Sequence, residues 1–372
     1  MTTRASTTIA TPRRPKIAVY GICLNEQAFV KRFMDSCRDA DMVIIADTGS
    51  TDGTVEAFRA EGAIVHSILV RPWRFDHARQ AALQLVPEDV DICVSLDLDQ
   101  VLAPGWRAIL DRFWTPPANR LHYTLAWARN YDGSPRVMMD NRIHARHGFA
   151  WRYPVHECLV SEGVAEHILV IHAFKIDHLP DVEKSRGQYL PLLELAAAED
   201  PDLPRHAHYL GREYYFIGRN EEAIAEFERH LALADHQGDL ERNLSKRLMA
   251  ECWGRLGEAD KALEIYREAA SEAPTSRGAQ IDLGWALYQR ERWAECYAVS
   301  VVACELPTGT DVYGAATDTG VWPEDMASIC GWRLGQHQAA LDYGRRAMAL
   351  APNIERIRQN VERMEAVLKI KV

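Results

Sequence analysis

Between residues 17 and 97, four short apolar runs alternate with amphipathic stretches, and no other feature of the chain restricts its fold so much. IAVYGIC (17–23), MVIIAD (42–47), AIVHSILV (63–70) and DICVSLD (91–97) read as strands. Residues 26–38 place Phe29, Val30, Phe33 and Cys37 at helical spacing, and residues 75–86 predict another helix. Strands that alternate with helices run parallel in an open α/β sheet. Such sheets bind ligands beyond the C-terminal ends of their strands. Asn25, Asp47 and the pair Asp97/Asp99 all fall at those ends, and therefore on one rim.

The stretch VSLDLDQVL (94–102) sets a physical problem, because apolar positions surround two carboxylates. An unpaired buried carboxylate is costly. Either Asp97 and Asp99 sit where the strand leaves the core, or a positive group meets them. Two carboxylates one residue apart can also chelate a hard divalent cation such as Mg²⁺ or Mn²⁺. Upstream, ADTGSTDGT (46–54) is a turn of small residues in which Thr51 or Asp52 can cap the next helix. Its backbone can approach a ligand closely, and the new helix N-terminus favours anions.

Residues 120–180 change character. LHYTLAWA (121–128) and HGFAWRYPV (147–155) predict antiparallel strands and long loops, and half of the 14 histidines lie in this stretch. From about 183 the pattern is helical, and it repeats. Gly218 leads to Ala223, Gly257 to Ala262 and Gly335 to Ala340, while Glu291 and Cys296 fill the same slots imperfectly. The small residues are spaced 39, 34 and 44 apart, and Pro274, Pro307 and Pro352 close the last three units. That is similar to tetratricopeptide repeats, nominally about 34 residues long, with insertions. Such stacks offer concave surfaces to partners.

An apolar content of 47% and a charged content of 26% are those of a globular protein. The net charge of −10 gives no general attraction to nucleic acid, although a local basic patch stays open. The eight cysteines form no CxxC pair and read as buried free thiols of a reducing compartment. No stretch is apolar enough to span a membrane, and residues 1–15 have no apolar signal core. These features predict a flexible lead over 1–15 and a cytoplasmic protein.

CLNE (23–26), ADTGSTDGT, RFDHARQ (74–80) and LDLD (96–99) resemble the nucleotide-sugar domain of family 2 glycosyltransferases. YPVHE (153–157), IDHLPD (176–181), KSRGQYLPLLE (184–194) and YLGREYYFIG (209–218) resemble those members fused to tetratricopeptide repeats. The resemblance implies a GT-A domain over 16–182, a helical repeat domain over 183–372, and sugar transfer from a nucleotide sugar, a UDP-sugar by expectation. It implies that Asn25, Glu26, Asp47, Thr48 and Asp52 line the nucleotide. Arg79 is expected near the diphosphate, Asp97 near ribose and metal, and Asp99 as principal ligand of Mn²⁺ or Mg²⁺. Gln100 departs from the acidic residue common after Asp-x-Asp; it keeps an oxygen but removes a charge.

Inverting transfer by single displacement needs a carboxylate to take the acceptor's proton. Glu157 and Asp140 compete for that role, and His156 and His178 compete as a further metal ligand. His156 and Glu157 can serve one site only if the strand breaks near Pro154, since neighbours on a strand point to opposite faces. Arg142, Arg146 and Arg152 suggest a phosphate or acceptor clamp, or else a solvated loop. Trp73, Trp106 and Trp127 can stack on sugars or pack the core, and Asp76 reads as orienting its helix. The acceptor, a protein, peptide or glycan, is presented by the repeats in this reading. Two alternatives remain: a transferase acting on modified DNA bases, and a repeat scaffold whose transferase domain has degenerated.

Overall fold

A computed structural model describes residues 13–129, 134–180, 187, 189–233, 239–308 and 320–370. The chain divides into two compact units, Met1–Ser185 and Arg186–Val372. Most of the expected flexible lead, and the expected boundary at 182/183, lie outside the described residues. At 13–15 the chain is already tied: Arg13 pairs with Asp91 at 2.7 Å and Arg14 with Asp111 at 2.9 Å.

The first unit opens with the alternation read from the sequence. Its elements are β1 (Ile17–Cys23), α1 (Gln27–Cys37), β2 (Met42–Asp47), α2 (Thr54–Ala60), β3 (Ile64–Ser67), α3 (Phe75–Gln84) and β4 (Ile92–Ser95). Strand β1 runs parallel to β2 and β4, and β2 runs parallel to β3. Successive residues of β1 serve opposite faces. Ile17 and Val19 join a core with Phe33 and Phe58, while Ala18 and Tyr20 join another with Ala82 and Leu83. Both faces are covered, which is why β1 is apolar without alternation.

The rest of the unit is β5 (Gln100–Leu102), α4 (Trp106–Phe113), β6 (Arg120–Arg129), β7 (Pro135–Ala145), β8 (Phe149–Arg152), β9 (Cys158–Ser161) and β10 (Ile168–His178). The eight-stranded sheet has the order β3-β2-β1-β4-β7-β6-β10-β5, and β8 pairs with β9 apart from it. Strand β7 runs antiparallel between β4 and β6, so the parallel half is extended by a mixed half. Three expected strands are shorter than read. AIVHSILV (63–70) keeps only β3, and DICVSLD (91–97) ends at Ser95, with Asp97 and Asp99 in the turn before β5. The run 147–155 keeps only β8, because Tyr153 (φ +78°) and His156 (φ +50°) take left-handed conformations.

The second unit is helical throughout its described residues. After α5 (Tyr189–Glu199) come the pairs α6 (Pro204–Phe216) and α7 (Asn220–Ala232), then α8 (Asp239–Arg255) and α9 (Ala259–Glu272). They are followed by α10 (Arg277–Gln289) and α11 (Trp293–Glu305), α12 (Trp322–Arg333) and α13 (His337–Leu350), and lastly α14 (Glu355–Ile370). Each pair turns the same way. Gly218, Gly257, Glu291 and Gly335 are left-handed, at φ +80°, +87°, +55° and +78°. The next residue's N–H then bonds back five positions, as in Glu258 to Trp253 (2.9 Å) and Arg292 to Leu287 (3.0 Å). This is the Schellman helix end, which favours glycine. A Cβ on Gly218, Gly257 or Gly335 would meet nothing within 4 Å, so the backbone angle, not space, selects glycine there. Ala223, Ala262, Cys296 and Ala340 are buried, as the shared slots require. All eight cysteines are free thiols. No described helix is long and apolar enough to cross a membrane.

Candidate functional site

Strands β1, β2 and β4 are parallel, so their C-terminal ends share a rim, and the turns beyond them are laced together. Asp47 is 3% exposed and accepts bonds from the amides of Gly49 (3.2 Å) and Ser50 (3.1 Å). Asn25, left-handed at φ +54°, accepts from the amides of Thr51 (2.7 Å) and Asp52 (3.4 Å). The Thr48 hydroxyl donates to the Cys23 carbonyl (2.9 Å), and the Glu26 amide donates to Thr54 Oγ1 (2.8 Å). Asp52 accepts from the amides of Thr54 (2.9 Å) and Gln27 (3.3 Å) and from the Thr54 hydroxyl. That hydroxyl is the chief cause of its lowered pKa. The five residues expected to line a nucleotide thus build one cross-braced edge, with Asp47 shaping it from within while Asn25 and Asp52 stay exposed.

Beside this edge runs a line of alternating charges. Arg79 reaches up from α3, 4% exposed, and grips Glu157 (Nε to Oε1, 2.5 Å) and the nearer oxygen of Asp97. The other Asp97 oxygen accepts from Arg142 Nη1 at 2.8 Å. Arg142 Nε lies 3.6 Å from Asp140, which also accepts from the Tyr123 hydroxyl at 3.0 Å. Burial alone would raise the pKa of Asp97, but Arg79 and Arg142 outweigh it and hold the carboxylate well below its usual range. A guanidinium buried this deeply is tolerable only while its partners stay charged. Arg79 also stacks over Trp151, 5.1 Å from the ring centre. Trp151 Nε1 donates to the Tyr20 hydroxyl (2.9 Å), which donates to His144 Nε2 (2.9 Å), and His144 Nδ1 donates to the Ala145 carbonyl (2.7 Å). Burial, reinforced by Arg120 and Arg146, pushes His144 down to about 3 against a bond that favours its charge, so the ring is neutral.

Asp99 faces a different set of partners. Its Oδ2 lies 3.2 Å from His178 Nε2, and His178 Nδ1 donates to the Trp127 carbonyl at 3.2 Å. The bond to Asp99 raises the His178 pKa against burial. Asp99 Oδ1 is buried with no hydrogen-bond partner, and so is Arg79 Nη1. Groups this polar are seldom buried bare. One orphan suits a cation and the other an anionic oxygen. A carboxylate beside an imidazole whose far nitrogen is fixed by a carbonyl fits a divalent metal. Asp97, committed to two arginines, does not converge with them: among the described residues no three-ligand cluster includes Asp97, Asp99, His156 or His178. His178, not His156, is the histidine brought to Asp99.

The break expected near Pro154 exists, and it turns Glu157 onto Arg79. Neither candidate base stands alone, since Glu157 holds Arg79 and Asp140 holds Tyr123. Gln100 Oε1 accepts from the Asp97 amide (3.1 Å) and closes the turn. Of the three loop arginines only Arg142 reaches the site. Arg146 pairs with Glu88, and Arg152 with Glu162. Trp106 is core, bonded to the Ser36 carbonyl at 3.0 Å. Trp127 packs on the same core, and Trp73 lies edge-on to Phe75. Asp76 accepts from Arg74 at 2.9 Å and from the His77 amide at 2.8 Å, in the first turn of α3. Sequence reasoning missed Tyr123, Trp151 and Tyr20. The spacing of Asp140, Arg142 and His144, one face of β7, was the signal for the first.

No protein-family model matches this chain. Over 163 residues it is 30% identical to the lipopolysaccharide core biosynthesis glycosyltransferase LpsC of Rhizobium meliloti (strain 1021). The match takes in 41% of this chain and 59% of LpsC. Part of the chain is therefore similar to a glycosyltransferase, and it spans under two thirds of that relative. Among solved structures, MamA aligns at a TM-score of 0.36 with 13% identity, over 43% of this chain and 85% of MamA. YrrB, a TPR protein with an unusual peptide-binding site, aligns at 0.36 and 14%, over 48% and 83%. Yeast Tom70 aligns at 0.37 and 16%, over 51% and 37%. Those scores are too low to argue from, and the helical repeats rest on the chain's own four matching turns.

Proposed function

We propose that this chain is a metal-dependent, inverting glycosyltransferase of the family 2, GT-A type, using a nucleotide sugar, in the first place a UDP-sugar. The observation that carries this reading is the pair of buried orphans on the strand-end rim, Asp99 Oδ1 and Arg79 Nη1. One suits a cation and the other an anionic oxygen, and a metal–diphosphate provides both. The similarity to LpsC supports sugar transfer in particular.

In this reading Asn25 and Asp52 face the nucleoside, on the edge that Glu26, Asp47 and Thr48 brace. Asp99, with His178, holds Mn²⁺ or Mg²⁺, which would supply Lewis-acid stabilisation of the departing diphosphate. Arg79 donates Nη1–H to a phosphate oxygen, and Asp97 keeps that guanidinium aimed. A carboxylate on the opposite side of the sugar accepts the acceptor's hydroxyl proton as the new bond forms at the anomeric carbon. Glu157 and Asp140 are the candidates. The name of LpsC favours a glycan hydroxyl as acceptor, with a protein hydroxyl as the rival.

The test is a thermal-shift panel of nucleotide sugars, each with Mn²⁺, Mg²⁺ or EDTA, because a ligand of the folded state raises stability by mass action. Stabilisation by one nucleotide family that is lost in EDTA is the expected result. No shift with any donor would favour the scaffold alternative.

A further inference from the structure

The helical unit carries a cluster that the transferase reading does not use. His208 on α6, His230 on α7 and Glu241 on α8 each bring one ligand atom within 4.8 Å of the other two. His208 and His230 are buried, and the Glu241 side chain is 23% exposed. Both rings bond Ser245 Oγ on α8 through Nδ1, at 2.7 Å and 2.9 Å. His230 Nε2 lies 3.7 Å from Glu241 Oε1.

We propose that His208, His230 and Glu241 form a zinc-class divalent metal site that staples α6, α7 and α8 together. The spacing decides between this and an ordinary polar core. At 3.7 Å, His230 and Glu241 are too far apart for a good hydrogen bond. Two ligands of one tetrahedral Zn²⁺, each about 2.0–2.1 Å from it, stand about 3.3 Å apart, so the pair needs only a small closure. The Ser245 hydroxyl oxygen has two lone pairs. It can accept Nδ1–H from both rings at once, which fixes both tautomers with Nε2 as the ligand nitrogen. Two imidazoles and one carboxylate match a three-ligand zinc site.

Two cations, Arg229 and Arg242, lie near His230, and each is engaged elsewhere. Arg229 is paired with Glu226 at 2.5 Å, and Arg242 donates to the Leu231 carbonyl at 2.8 Å. The site is independent of the rim in the first unit and does not rest on the transferase reading.

The test uses the full chain, stripped with EDTA and titrated with Zn²⁺ alone, then with Co²⁺ alone for its visible spectrum. Wild type should take up one zinc that survives dialysis, with a tetrahedral cobalt spectrum and a raised melting temperature. Glu241→Gln, partly exposed and safe for folding, should weaken zinc about 100-fold, and His230→Gln should lose it. Ser245→Ala should cost about 10–100-fold, as loss of a ligand-orienting bond does. No retained zinc in wild type, or retention equal to wild type in Glu241→Gln and His230→Gln, would each overturn the proposal.

Discussion

The strand-end rim and the helical repeats solve opposite problems. On the rim, side chains far apart in sequence hold one another: Arg79 meets Asp97 and Glu157, 18 and 78 residues away, and Asp97 meets Arg142, 45 away. In the repeats, the decisive bonds close within five residues, and the same turn is made four times. The rim therefore behaves as a unit that fails together, whereas each repeat turn fails alone. Bare buried atoms do not separate the two regions, since the rim leaves Asp99 Oδ1 and Arg79 Nη1 and the repeats leave Asn243 Oδ1 and Trp253 Nε1; what sets the rim's pair apart is their opposite charge.

The largest effect should come from cutting the rim's shared arginine. Arg79→Ala leaves Glu157 without its cation and Asp97 with Arg142 alone. Breaking such a buried pair costs about 3–5 kcal/mol. Urea unfolding should register that loss, and nucleotide-sugar binding should vanish with it. A loss below about 1 kcal/mol would mean that the charge line is not one unit.

Asp99→Ala separates function from stability on the same rim. It removes a carboxylate whose second oxygen has no partner, so folding should change little. Transfer should fall about 10²–10³-fold, the scale of removing one preorganised electrostatic contact. Asp76→Ala, a change at a residue bonded only within its own helix start, should leave transfer far less affected. Equal losses would dissolve the distinction between metal ligand and helix anchor.

What could be read from the sequence follows the same division. The strand–helix alternation, the rim and the repeat slots are periodic or local, and the chain states them openly. Even Glu291, which breaks the glycine pattern, occupies the same left-handed position. The partners of Asp97 could not be read, because Arg79 and Arg142 arrive through sheet topology, and spacing says nothing of topology. Metal chelation by both aspartates was an inference from proximity along the chain. In the folded unit Asp97 turns to the arginines and Asp99 to His178. The role of Gln100 in the turn was hidden for the same reason, since its oxygen accepts from the Asp97 amide.

The neutral histidine under the rim gives a smaller, pH-dependent effect. The folded pKa of His144, about 3, lies below the unfolded value near 6.5. The unfolded chain therefore binds the proton first, and stability is full above about pH 6.5 and falls as pH drops toward 3. Between pH 6.5 and 5 the loss should be about 1.6 kcal/mol. Protonation would also set Nε2–H against the Tyr20 hydroxyl, which would have to turn away from it. Urea melts across that range should show the slope, and His144→Phe should flatten it. An unchanged slope would assign the acid sensitivity to other histidines held low by burial, among them His122, His206 and His230.

The smallest effects test whether the repeat turns are as independent as their local bonds imply. Gly257 and Glu291 occupy equivalent left-handed positions, one with the residue that suits them and one without. A left-handed backbone costs a non-glycine residue about 1 kcal/mol. Nothing within 4 Å would clash with a Cβ at Gly257, so Gly257→Ala should destabilise by about 1 kcal/mol through its backbone alone. Glu291→Gly should do the reverse and stabilise by about 0.5–1 kcal/mol, the gain reduced by the entropy that glycine adds to the unfolded chain. If the turns are independent, the double variant should match wild type within about 0.5 kcal/mol, as distant sites add. A clear departure from additivity would mean that strain at one turn reaches the next through the shared core of Leu263, Leu283 and Cys296, and the contrast with the rim would narrow.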